Sequence, residues 1–189
     1  MNERLVEIHS SGEIAGRVKT IAAEISEASR QKELTVLGIL EDSFVFLSDL
    51  LRATDAPLRT AFLRYDHRAL GGVQDLSFTT PLDLRGRDIV LVEGVLNTGV
   101  TQEYLMKQLE SRGASRVRLC VLIDKTDERR TTVEPEWRGF ETHEPYVVGY
   151  GLGFQERWRE LPYLAKLAGG NDPRSHGAAE KKEDTWGDS

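Results

Sequence analysis

One cysteine, four histidines and no apolar run longer than a strand are what this chain offers where metal clusters, disulfides or membrane spans would be sought. A single thiol cannot form an internal disulfide, and a cysteine-based metal cluster is excluded. Cys120 itself sits inside the apolar run Val117 to Ile123 and reads as core filler. His9, His67, His143 and His176 are scattered without metal-ligand spacing and offer no Ser-His-Asp arrangement. Runs such as Ile89 to Val92 fall far short of the ~20 residues a membrane-spanning helix needs, and the N-terminus has no signal-peptide profile. A soluble, cytoplasmic protein without a membrane partner is expected. The chain also lacks a basic excess: 25 Lys and Arg face 31 Asp and Glu, a net charge of −6, which argues against a nucleic-acid partner. Residues 169–189 contain no Val, Ile, Leu, Met or Phe, so they cannot bury enough surface to fold and are expected to be a disordered polar tail, with Trp186 its one large apolar group. Residues 1–168 remain as one domain, ample for a single core at 39% apolar composition.

Within that domain the periodicity alternates. From a cap at Ser11, the residues Ile14, Val18, Ile21, Ala22 and Ile25 recur at helical spacing. Leu34 to Leu40 is too short for a typical helix and too apolar for a half-exposed strand, so it reads as a buried parallel strand. A helix from about Ser43 to Ala53 and a strand over Leu58 to Tyr65 follow. Asp66 to Thr80 shows no periodicity and reads as a long loop. After the turn Arg85 to Asp88 comes a second buried strand, Ile89 to Val92, closed by Glu93. A polar, glycine-rich passage from Gly94 to Val100 leads into a helix presenting Thr101, Tyr104, Leu105 and Leu109 and ending at Gly113. Val117 to Ile123 is a third buried strand. Strand, helix, strand, helix, strand in this order predicts an α/β fold, a mainly parallel central sheet flanked by helices.

Ligands of open parallel sheets bind beyond the carboxyl ends of the strands. Asn97-Thr98-Gly99-Val100-Thr101 lies at such a place, with two hydroxyls and a glycine at a helix start. Unpaired backbone N–H groups and the helix dipole there suit a monophosphate, although a hydroxyl that merely caps the helix produces the same pattern.

Several motifs in register give a resemblance. Arg85 to Glu93, then Asn97 to Thr101, then Asp124-Lys125 with Arg129-Arg130, then Val147-Val148-Gly149-Tyr150-Gly151-Leu152 and Arg159 resemble the hypoxanthine-guanine phosphoribosyltransferases over roughly residues 5 to 167. The resemblance implies the type I phosphoribosyltransferase fold with a small hood region, and transfer of ribose 5-phosphate from phosphoribosyl pyrophosphate to a purine with Mg²⁺. It implies a 5′-phosphate site at Asn97, Thr98, Gly99, Val100 and Thr101, a ribose contact at Glu93, and a purine site at Lys125, Tyr146 and Val147. Glu41, Asp42 and Arg159 fall in the pyrophosphate region. A homo-oligomer is implied as well.

The departures from the family pattern cluster. The Lys-Gly loop that receives pyrophosphate is replaced by Glu41-Asp42-Ser43, the second strand-end carboxylate by Gly94, the proton-handling aspartate by Asn97, a later metal-binding aspartate by Gly153, and a loop Ser-Tyr pair by His67-Arg68. An amide cannot take up a proton near neutral pH, and loss of a general base costs about 10²–10⁴ in rate. Two carboxylates in place of a cation should repel pyrophosphate. The expectation is a protein that binds a purine nucleotide, IMP or GMP, with little or no transfer. An active transferase using Mg²⁺, with Glu41, Asp42 and Glu93 as oxygen ligands, and a structural partner subunit are the alternatives.

Overall fold

The computed structural model describes residues 4–30, 32–65, 76–78 and 82–168. The chain runs β1 (Arg4–His9), α1 (Ser11–Ser29), β2 (Leu34–Ile39), α2 (Phe44–Ala53), β3 (Leu58–Tyr65), β4 (Leu76–Phe78), β5 (Asp88–Leu96), α3 (Val100–Ser111), β6 (Arg116–Asp124), β7 (Trp137–Glu141), β8 (Val147–Val148) and β9 (Leu164–Ala168). The main sheet has the order β4-β3-β2-β5-β6-β7. Its strands are parallel except β4, which runs antiparallel to β3.

Period-two alternation divides the core. Val36, Val90, Val92, Cys120 and Leu122 pack with Ile14, Val18, Ile21, Phe46 and Leu50 of α1 and α2. Leu37, Ile39, Ile89, Leu91, Leu119 and Val121 pack with Leu105 and Leu109 of α3. Both faces are therefore covered, as a near-continuously apolar parallel sheet requires. Arg118 is buried on β6, where Asp88 at 3.0 Å and Glu136 at 3.5 Å balance its charge and Trp137 stacks 4.9 Å from the guanidinium. Cys120 is fully buried, as core filler should be.

A second, antiparallel sheet of order β1-β9-β8 forms the hood. Its first strand, β1, has no counterpart in the sequence reading, because Arg4 to His9 gains its partner from the other end of the domain, pairing Arg4 with Ala168 and Leu5 with Leu167.

Three local expectations change. Helix α1 is capped by Ser10 rather than Ser11: Glu13 N–H donates to Ser10 Oγ at 3.3 Å, and Glu13 Oε2 accepts from Ser10 N–H at 2.7 Å, a capping box. Residues 76–78, read as part of a loop, are strand β4. The rest of that stretch, His67-Arg68 included, and the tail 169–189 lie outside the described residues. Strand β5 does not close at Glu93 but continues to Leu96, with Val95 paired to Ile123 and Leu96 to Asp124. That extension decides where Glu93 and Gly94 point. Among the described residues, no helix is long and apolar enough to cross a membrane.

Candidate active site

The carboxyl ends of β2, β5 and β6 and the turn after β8 converge on one region. Here the sheet's alternation acts on chemistry. Glu93 follows Ile89 and Leu91 onto the α3 face of β5, whereas Gly94 follows Val90 and Val92 onto the α2 face.

Glu93 is buried, and Gln102 of the first turn of α3 donates to its Oε2 at 2.5 Å. Burial pushes its carboxyl up to about 8, the Gln102 hydrogen bond opposes that shift, and Asp42 adds to it. At neutral pH Glu93 is thus chiefly a neutral acid. It borders a cavity of about 50 Å³ with Ile39, Leu40, Glu41, Asp42 and Val95. Gln102 was not singled out from sequence; the inner face of α3 is Gln102, Leu105 and Leu109, and a glutamine on an otherwise apolar helical face was the available signal.

On the opposite face, a Cβ built on Gly94 would lie 2.8 Å from the Asp42 carbonyl oxygen and 2.9 Å from the Asp42 Cβ. Asp42 occupies that space, and its Oδ1 accepts a hydrogen bond from Arg159 Nη1. The same Nη1 donates to the Gly151 carbonyl at 2.7 Å, and Nη2 stands 3.9 Å from Glu41 Oε2. A Cβ on Gly153 would meet Arg159 Nε at 2.8 Å and Cζ at 3.0 Å. The ion pair therefore rests in space left by two glycines. This corrects the picture of two bare acids at this corner: Glu41 is turned outward, its side chain 69% exposed, while Asp42 is charge-paired. Among the described residues, no three Asp, Glu, His or Cys side chains are arranged to hold a metal ion.

A second cavity, of about 200 Å³, is lined by Asn97, Lys125, Tyr146 and Val147 together with Asp42, Val95, Pro145, Gly153 and Phe154. It gathers every residue that the resemblance sets on the purine. Lys125 is buried, donating to the Pro145 carbonyl at 2.7 Å. Tyr146 packs against Phe154 with ring centroids 5.0 Å apart at 59°. Phe154 was missed in the sequence; an aromatic directly after the glycine-rich turn Gly149 to Gly153 was its signal.

Helix α3 begins at Gly99, whose φ of +79° is left-handed, and no side chain caps its N-terminus. Thr98 Oγ1 accepts a long 3.4 Å hydrogen bond from Val100 N–H, the first N–H of the helix, and Thr101 makes no cap. The loop after β6 fixes this corner: Arg130 N–H donates to the Thr98 carbonyl at 2.9 Å and Lys125 N–H to the Leu96 carbonyl at 2.9 Å. Arg129 turns inward, onto buried Asp124 and the Val133 carbonyl, and has a structural part.

The raised carboxyl of Glu93 yields a signed prediction. Between its unfolded value near 4.5 and about 8, the folded state holds a proton that the unfolded chain has released, so this residue's contribution to stability falls as pH rises through that window and is level above it. Glu93→Gln should remove this slope. The variant's gain in urea-unfolding free energy over the parent is expected to grow from pH 5 to pH 8 and reach a few kcal/mol; a difference independent of pH contradicts the assignment.

The chain matches the model of the phosphoribosyl transferase domain over residues 5–155. It is 31% identical over 165 residues to a hypoxanthine phosphoribosyltransferase of Haemophilus influenzae, covering 84% of this chain and 92% of that protein. It is 34% identical over 162 residues to a hypoxanthine-guanine phosphoribosyltransferase of Lactococcus lactis, covering 84% and 88%. In structure it resembles a hypoxanthine-guanine phosphoribosyltransferase of Bacillus anthracis with a TM-score of 0.82 at 25% identity, over 89% of this chain and all of that one. A hypoxanthine phosphoribosyltransferase of Staphylococcus aureus gives 0.78 at 27%, over 86% and 92%. Parallel sheet, hood, clustered cleft residues and these likenesses agree: the chain belongs to the hypoxanthine-guanine phosphoribosyltransferase family and has the type I phosphoribosyltransferase fold.

Proposed function

We propose that this protein binds a purine nucleoside monophosphate, IMP or GMP, and transfers phosphoribosyl groups poorly or not at all. The observation that carries this reading is the contrast between two neighbouring corners. The cleft gathers Asn97, Lys125, Tyr146 and Val147 close to an uncapped helix start, whereas Arg159 is already engaged by Asp42.

In this reading the 5′-phosphate rests on the first turn of α3, where backbone N–H groups and the helix dipole favour an anion and the Thr98 and Thr101 hydroxyls add donors. The base enters the cleft beside Tyr146 and Phe154. Lys125, which donates to the Pro145 carbonyl and stands 4.0 Å from Glu128, lines the cleft and meets a purine carbonyl oxygen. The Asn97 amide hydrogen-bonds a ring nitrogen and holds the base in place, but it cannot carry a proton away. Val147 presents its backbone to the base edge. Glu93, neutral and held by Gln102, reaches the ribose only through the small cavity it borders.

Mg²⁺ does not suit the residues present. Glu93 is buried against Gln102, Asp42 has its charge met by Arg159, and residues 94 and 153 bring no side-chain oxygen. No step is therefore routed through a metal. Self-association belongs to the same proposal and is read by sedimentation.

Calorimetric titration of IMP into the full chain without Mg²⁺ is expected to saturate at one site, and Thr101→Val to weaken binding by roughly tenfold, the worth of a hydrogen bond to a charged group. IMP formation from hypoxanthine and phosphoribosyl pyrophosphate is expected to stay at the level of that variant. Robust transfer by the parent chain, with activity lost in Thr101→Val, would instead favour the active-enzyme reading, which the identity with named transferases supports.

Restoring the family residues as a set should raise transfer. Glu41→Lys, Asp42→Gly, Gly94→Asp, Asn97→Asp and Gly153→Asp together remove the ion pair and return charge and proton-accepting groups. Gly94→Asp alone should lower the unfolding midpoint, since its Cβ meets the Asp42 backbone.

A further inference from the structure

The pairing of Asp42 with Arg159 does more than neutralise a surface charge. A guanidinium presents five N–H donors in a planar fork suited to oxyanions, and a free one at the rim of a nucleotide cleft would receive a phosphate group. Here Nη1 is committed twice, to Asp42 Oδ1 and to the Gly151 carbonyl, and Nη2 faces Glu41. The carboxylate thus occupies the position that an incoming oxyanion would take.

The pair also depends on its surroundings. Any side chain at position 94 would begin 2.8 Å from the Asp42 carbonyl, and any at position 153 would begin 2.8 Å from Arg159 Nε. These glycines come from separate elements, strand β5 and the turn after β8, and each clears one partner of the pair. Asp42 in addition lines both cavities, so it stands between the Glu93 corner and the cleft that holds Lys125.

We propose that Asp42 is an internal counter-anion that masks Arg159, making this cleft selective for ligands with a single phosphate and closed to diphosphates. The single-phosphate half of the statement rests on the nucleotide reading above; the masked cation does not. A diphosphate must displace Asp42 from Arg159 and then lie beside the displaced carboxylate, while a monophosphate on α3 leaves the pair undisturbed.

Inorganic pyrophosphate, titrated calorimetrically into the full chain without Mg²⁺, is the probe. The parent chain is expected to show no saturation at millimolar ligand. Asp42→Asn, which keeps the size and removes the charge, is expected to bind pyrophosphate at least tenfold more tightly, with Asp42→Ala as the companion variant in which no amide remains to hold Arg159. Adding Arg159→Gln to either should abolish the gain. Urea midpoints of all variants establish that each is folded. Pyrophosphate binding by the parent within threefold of both Asp42 variants would overturn the proposal, as would a gain that survives Arg159→Gln. IMP titrated into the parent in parallel reads the other half alone: failure of IMP to bind, with pyrophosphate binding gained in Asp42→Asn, would reject the nucleotide reading and leave the masked cation standing.

Discussion

The contact between the Asp42 carboxylate and the Arg159 guanidinium organises the ligand-facing end of this domain. It joins the loop after β2 to the segment that returns toward the hood, across a gap that exists because residues 94 and 153 have no side chains. Four positions from three separate stretches of the chain therefore behave as one unit. Substituting a single member would leave a stranded charge or a steric overlap, and such units are non-additive. Asp42, Gly94 and Gly153 are accordingly parts of one local arrangement around Arg159.

The same end of β5 carries a second constraint. Because the strand continues to Leu96, Glu93 lies one pleat inside its end and is buried against Gln102. Desolvation favours its protonated form, while the Asp42 carboxylate is charge-paired with Arg159. What persists is polar and cationic: an uncapped helix start, the Lys125 ammonium and the Asn97 amide.

Much of the fold was legible in the chain. The buried runs at Leu34, Ile89 and Val117 are central strands, and Leu58–Tyr65 is a strand where one was expected. Strand β1 was not, since its hydrogen bonds come from β9 at the far end of the domain and leave no local signature. Of the candidate site, Lys125, Tyr146 and Val147, which the resemblance assigns to the purine, share one cavity with Asn97. The charge state of the other corner was not legible. Residue types at 41 and 42 indicate two acids, but whether a cation reaches them depends on the path of the chain over a hundred residues later. The burial of Glu93 likewise accompanies continued strand pairing at Val95 and Leu96, which no propensity at Gly94 announces.

A double-mutant cycle on unfolding free energy most directly measures whether Asp42 and Arg159 act as one unit, using Asp42→Ala, Arg159→Ala and the pair, in the full chain at pH 7 and low salt. The account predicts a coupling of roughly 0.5–1 kcal/mol, that of a partly exposed, geometrically fixed ion pair. Strictly additive costs, with no coupling beyond error, would contradict it.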